Sequence, residues 1–144
     1  MNPIAFRRLA REARLPTRAH PGDAGLDLHA AAPCTIAPGA RAAVPTGWAV
    51  AIPPGWAGLV VPRSGLARTH GVTVANAPGL IDSGYRGELQ VLLVNLGNEQ
   101  HTIATGDRVA QLVLVEVTTA TAAEVTELPE ADSRGDGGFG STGR

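Results

Sequence analysis

Turn-forming residues recur along this chain at intervals too short for a long helix. Pro16, His20-Pro21-Gly22-Asp23, Pro33, Pro38-Gly39, Pro53-Pro54-Gly55, Pro62, Pro78-Gly79, Leu96-Gly97-Asn98 and Thr105-Gly106-Asp107 punctuate it, and glycine and proline are the strongest local breakers of regular structure. The runs between them alternate apolar and polar residues with a period of two. Leu26, Leu28 and Ala30 alternate with Asp27 and His29, a half-buried strand with its acid turned outward. Thr46, Trp48, Val50 and Ile52 alternate with small residues, and Trp56–Val61 returns after a turn. Many short strands with close turn signals predict an all-β barrel or sandwich.

One short helix is expected. Ser64 reads as an N-cap for Gly65–His70, with Gly71 just past the end. Residues Ile4–Ala13 fit either a short basic helix or a strand plus loop, since their apolar positions are poorly spaced and Pro16 follows. The segment Gly79–Leu89 is expected to form the bend and flanks of a hairpin between Val72–Asn76 and the apolar run Leu89–Leu96. The last strand spans Arg108–Val117, with Gln111 the lone polar side chain in its valine row. A polar group buried in that row would need a partner.

At 144 residues the chain is one domain's worth, with no internal repeat. Near-neutral charge and few aromatics argue against an extended nucleic-acid surface, though not against a small nucleotide. Every basic side chain other than histidine is arginine, so lysine and Schiff-base chemistry are excluded and any phosphate must be met by guanidinium or backbone amides. Cys34 is the single cysteine, which rules out a disulfide framework or multi-cysteine metal site and fits a reducing cytoplasm. No apolar run is long enough to span a membrane. The five arginines in residues 1–18 read as a solvated N-terminus. Beyond Val117 the chain becomes a Thr/Ala/Glu linker and a glycine-rich arm, Arg134–Arg144.

Beside Gln111, three features could carry chemistry. Arg63-Ser64 at a helix start could meet a phosphate or be a simple cap. The arm could wrap anionic oxygens with its amides, and Phe139 could close over a flat ligand; otherwise it is a loose tail. Asp82 could be a general base, a metal ligand or an Asx-turn residue, beside Tyr85. His29 and His70 lack metal-ligand spacing with a cysteine or second histidine.

Together the segments Ala24–Leu28, Pro62–Ala67, Gly79–Leu89, Gly106–Leu112 and Arg134–Gly143 resemble the five ordered motifs of the trimeric dUTP diphosphatases (dUTPases) over Ala24–Gly143. The resemblance implies a jelly-roll-like distorted barrel of short strands, residues 1–117, with residues 118–144 as linker and site-closing arm. It implies hydrolysis of dUTP to dUMP and pyrophosphate, limiting uracil in DNA and supplying dUMP for dTMP synthesis. Mg²⁺ would be held mainly by the triphosphate and reached through water by Asp27, while Asp82 acts as base on the attacking water. Arg63, Ser64, Gly65 and Gln111 would contact phosphates, with Arg134, Gly140, Ser141 and Thr142 on the outer ones. Phe139 would cover the uracil, whose edge is read by Asn76 and the backbone from Gly79 to Ile81. Tyr85 would pack under the deoxyribose and reject a ribose hydroxyl. A cytoplasmic homotrimer with arms donated between subunits is implied. The dCTP deaminases share the arginine-serine motif and the Ile-Asp pair, but this chain is short for them and keeps Tyr85-Arg86-Gly87-Glu88 and the full arm. A non-enzymatic nucleotide sensor on this fold would be expected to lose Asp82 or the arm.

Overall fold

The computed structural model describes residues 4–131 and 135–137. Ten short strands and one helix follow in order: β1 (Ala5–Arg8), β2 (Gly25–His29), β3 (Cys34–Ile36), β4 (Arg41–Ala51), β5 (Trp56–Val61), α1 (Ser64–His70), β6 (Val72–Val74), β7 (Gly79–Ile81), β8 (Glu88–Asn95), β9 (His101–Ile103) and β10 (Arg108–Glu116). The N-terminal ambiguity resolves as strand plus loop. Period two puts Phe6 and Arg8 on one side, where Phe6 meets Trp48 edge-on at 6.1 Å and the Arg8 guanidinium lies 4.5 Å from the Trp48 ring.

The strands form two four-stranded antiparallel sheets, β1-β4-β8-β6 and β2-β10-β5-β7, and a β3-β9 ribbon. The all-β fold expected is present, and of barrel or sandwich the described residues form the sandwich, two sheets sharing one core with no closed ladder. Leu28, Leu112 and Val60 from one sheet and Val44, Val50, Leu89, Val91 and Leu93 from the other are all within that core. Burying each of these side chains is worth about 1.5–3 kcal/mol. Asn95, fully buried among them, has its amide satisfied by the carbonyls of Ile36 (2.9 Å) and Glu99 (2.8 Å) and by the Gly97 N–H (2.9 Å). Cys34 is half-buried against the same core, and burial pushes its thiol above the usual range.

The two strands expected to flank Gly79–Leu89 do pair antiparallel, Val72–Val74 with Leu93–Asn95. The segment between them is more than a bend, because β7 leaves the pair to join β5 in the other sheet. Residues 82–87 then cross back from that sheet to β8. The helix also starts one residue earlier than expected. Arg63 is the N-cap, in extended conformation (φ −88°, ψ 125°) and with no side-chain cap bond, and Ser64 is the first helical residue. The C-terminal end matches, with Gly71 left-handed at φ 67°. Among the described residues no helix is long and apolar enough to cross a membrane.

Candidate active site

Register across β2-β10-β5-β7 decides which side chains share a surface. Asp27, Gln111 and Val61 form one row, and Gly25, Val113, Leu59 and Leu80 the next on the same face. That face points away from the shared core, yet Asp27 is only 9% exposed. The outward aim expected of it holds, but its solvent exposure does not: the N-terminal loop covers it, its own N–H donating to the Thr17 carbonyl at 2.8 Å. Gln111 is half-buried and makes no side-chain hydrogen bond among the described residues, so it is not the buried glutamine expected. Its side chain lies over Gly25, where an added β-carbon would come within 2.9 Å of Oε1. Gly25 is what lets the amide lie across β2.

Asp27, Gln111, Gly25, Arg63 and Arg108 line one cleft of about 310 Å³. Arg108 Nη1 stands 3.4 Å from Asp27 Oδ2, a long ion pair with its arginine half exposed. Arg63 Nη1 donates to the Arg108 carbonyl at 3.0 Å, which fixes one guanidinium edge and leaves the rest facing the cleft. Ser64 and Gly65 are exposed beside it, and a β-carbon on Gly65 would meet nothing within 4 Å. Two guanidiniums and an amide can take a polyanion, and one carboxylate oxygen supplies a hard donor toward a cation. The Asp27 neighbour His29 is held below the ordinary imidazole range, first by burial, with Arg14, Arg108 and Arg63 adding to it and Asp27 opposing.

The remaining predicted residues gather elsewhere. An added β-carbon on Gly79 would lie 3.4 Å from Asn76 Nδ2, so that side chain covers the β7 backbone. Gly79 and Ile81 face inward with Val60 and Leu112. After them the turn closes with the Tyr85 N–H donating to the Asp82 carbonyl at 3.0 Å. Tyr85 Oη donates to the Glu88 carbonyl at 2.8 Å. Asp82 is exposed and its carboxylate has no partner among the described residues. By strand spacing of about 4.8 Å and rise of about 3.3 Å per residue, it lies on the order of 20 Å from Asp27. Within one chain the two groups of residues therefore stand apart. Arg134, Phe139, Gly140, Ser141 and Thr142 lie outside the described residues.

Arg108 was not singled out from the sequence, although it sits inside the Gly106–Leu112 motif. The available signal was its place at the start of β10, opposite His29 in register.

Known proteins were compared with this chain. The dUTPase family model matches residues 11–143. The deoxyuridine 5'-triphosphate nucleotidohydrolase of Gloeobacter violaceus is 53% identical over 142 residues, covering 97% of this chain and 96% of that protein. Its counterpart in Anaeromyxobacter sp. is 58% identical over 130 residues, covering 90% and 88%. Among solved structures, a point mutant of the Staphylococcus bacteriophage 80alpha dUTPase with dUpNHpp superposes over all of both chains with a TM-score of 0.93 at 29% identity. A mutant dUTPase from phage phi11 of S. aureus, described as coordinating a structural Mg(II) ion, gives 0.81 at 30% identity over 88% of this chain and 98% of that one. With a family model spanning nearly its whole length and relatives more than half identical to it, this chain belongs to the dUTPase family, the dUTP diphosphatases.

Proposed function

We propose that the chain hydrolyses dUTP to dUMP and pyrophosphate with Mg²⁺ present, its active site completed between subunits of a homotrimer. The observation that carries the assembly is the separation of the half-sites: the phosphate-type cleft and the Asp82–Tyr85 turn share no lining within one chain. A part-exposed apolar row supports association, since Leu59, Val113 and Val115 are half-buried and Leu80 is 62% exposed on the outer sheet face.

In this reading Arg63, Ser64, Gly65 and Gln111 hold the triphosphate for in-line attack, and the arm residues Arg134, Gly140, Ser141 and Thr142 of a neighbouring subunit grip the outer phosphates. Asp82 takes a proton from water as its oxygen bonds to the α-phosphorus, and the bond from that phosphorus to the bridging oxygen breaks to release pyrophosphate. Mg²⁺, when bound, neutralises charge on the phosphates. The residues fit that role, because Asp27 offers an oxygen donor beside the phosphate cleft rather than an all-protein cage. The backbone from Gly79 to Ile81, with Asn76, reads the uracil edge, Phe139 covers the ring and Tyr85 backs the sugar. Residues 1–117 form the β domain and residues 118–144 the linker and arm. The setting is the cytoplasm, where the reaction lowers dUTP and supplies dUMP for dTMP synthesis.

The purified chain is offered dUTP, dCTP, dTTP and UTP with Mg²⁺ while pyrophosphate and ammonia are measured. Pyrophosphate from dUTP alone is expected. Ammonia from dCTP overturns the reading in favour of a deaminase, and binding of dUTP without turnover overturns it in favour of a sensor.

A further inference from the structure

Arg63 and Arg108 stand in a wall between two clefts. On the far side from Asp27 and Gln111 is a second cleft of about 350 Å³, lined by Arg14, His29, Arg63, His101 and Arg108 together with the Gly106-Asp107 turn. Its basic side chains arrive from five separate parts of the chain: the loop after β1, β2, the α1 cap, β9 and the start of β10.

Arg14 is fixed in place from both ends. Its carbonyl accepts the indole N–H of Trp48 at 2.9 Å, and Trp48 is buried. Its guanidinium rests on Gly106, where an added β-carbon would lie 2.7 Å from Cζ. Any side chain at position 106, which also has φ of +89°, would push Arg14 out of the cleft. His29 adds a buried Nδ1 with no hydrogen-bond partner among the described residues. The one acid in the lining is Asp107, and its Oδ2 is already engaged by the Ala104 N–H at 2.8 Å. Three guanidiniums therefore line one cleft with a single carboxylate, Asp107, among them, while Asp27 pairs with Arg108 from the other side. Such a focused positive field recruits an anion from solution, and guanidiniums suit tetrahedral oxyanions through paired N–H donors.

We infer that this second cleft is an anion site for a phosphate-class ligand, inorganic phosphate or pyrophosphate, distinct from the cleft beside Asp27. Arg14 is its discriminating residue, because it lines the second cleft and not the first. The shared wall of Arg63 and Arg108 means that an anion held there draws on the same guanidiniums that face Asp27. For pyrophosphate the inference rests on the proposed reaction, whose product it would be; for inorganic phosphate it stands by itself.

The test is a calorimetric titration of the full chain with inorganic phosphate, and separately with pyrophosphate, each with and without saturating dUpNHpp. One anion per chain is expected with dUpNHpp present and at least one without it, since the cleft beside Asp27 is then also open to phosphate. Arg14→Ala should weaken it about ten-fold or more, the loss of one charge-assisted contact, while the affinity for dUpNHpp stays within about two-fold of the parent. Arg14→Lys, which keeps the charge but not the planar contact with Gly106, should fall between the two. Thermal melts check that both variants remain folded. Abolition of all phosphate binding by dUpNHpp places the anion in the substrate cleft and overturns the inference. Unchanged binding in Arg14→Ala does the same, leaving an adventitious ion only. Failure of dUpNHpp itself to bind would count against the proposed reaction, while the titrations without it still decide the cleft.

Discussion

The phenol of Tyr85 rests on the α-carbon of Gly87: an added β-carbon there would lie 2.7 Å from the Tyr85 Cζ. Tyr85 is 43% exposed, so contact with Gly87 and the bond to the Glu88 carbonyl set its position more than core packing does. Gly87→Ala should displace the ring. If Tyr85 backs the sugar, this variant loses about ten-fold or more in kcat/KM for dUTP and gains relative activity on UTP, a discrimination that rests on leaving a ribose hydroxyl unpaired or clashing. Steady-state rates on both nucleotides check it, and an unchanged ratio would remove Tyr85 from the sugar contact.

Asp82 carries its carboxylate at an exposed turn with no competing partner among the described residues. Asp82→Asn preserves the shape and removes the proton acceptor, so turnover should fall by about 10²- to 10⁴-fold. Binding of dUpNHpp should stay within a few-fold of the parent, as measured by calorimetry. A variant that keeps most of its rate sinks the general-base assignment.

Asn95 holds two carbonyls and one amide in an otherwise apolar interior. Asn95→Ala leaves all three without that partner, at a cost of about 1–3 kcal/mol for each buried group left unsatisfied. A loss of about 3 kcal/mol or more in urea unfolding is expected, with activity per folded molecule little changed. A loss under 1 kcal/mol would mean that water or local rearrangement replaces the side chain.

His101 is held below the ordinary imidazole range, first by burial and then by His70, whose ring centroid lies 4.4 Å away, with Asp107 opposing. A base whose folded value is depressed takes up protons more readily when unfolded. Its contribution to stability is therefore intact above the unfolded value of about 6.5 and is lost as pH falls from there through the folded value. Melting temperature should drop as pH is lowered from 7 toward 5, and His101→Gln should shallow that drop. An identical pH dependence in the variant would assign the effect to other groups, His29 first among them.

Turn residues and period-two alternation located β2, β4, β5, β6, β8 and β10, because both are properties of a few consecutive residues, while the three-residue strands β3, β7 and β9 were not expected. Pairing partners were harder. The sequence of Gly79–Leu89 reads as the bend and flanks between two strands that do pair, but nothing in it states that Gly79–Ile81 joins β5 in the other sheet. The burial of Asp27 depends on a loop ten residues upstream folding back to Thr17, a long-range event that alternation cannot express. Ser64 was displaced from the cap by a single residue, because serine suits both the cap and the first turn of a helix. Arg108 escaped notice for a related reason: an arginine opening a strand looks like a solvated end until β2 brings Asp27 beside it. Gln111, Arg63 and Asp27 were all legible, and they do converge on one cleft.

The turn that carries Asp82 and Tyr85 is tied at one end to β5 and at the other to β4 and β6. It is a strut between layers rather than a tip at the margin of one. Grafting it alone into a relative would leave both anchorages to chance, so this stretch should be inherited, and engineered, as a unit with the strands on either side. It also ties the Asp82 turn to the spacing of the whole sandwich, and a core substitution that shifts one sheet against the other should register there before it registers at the cleft beside Asp27.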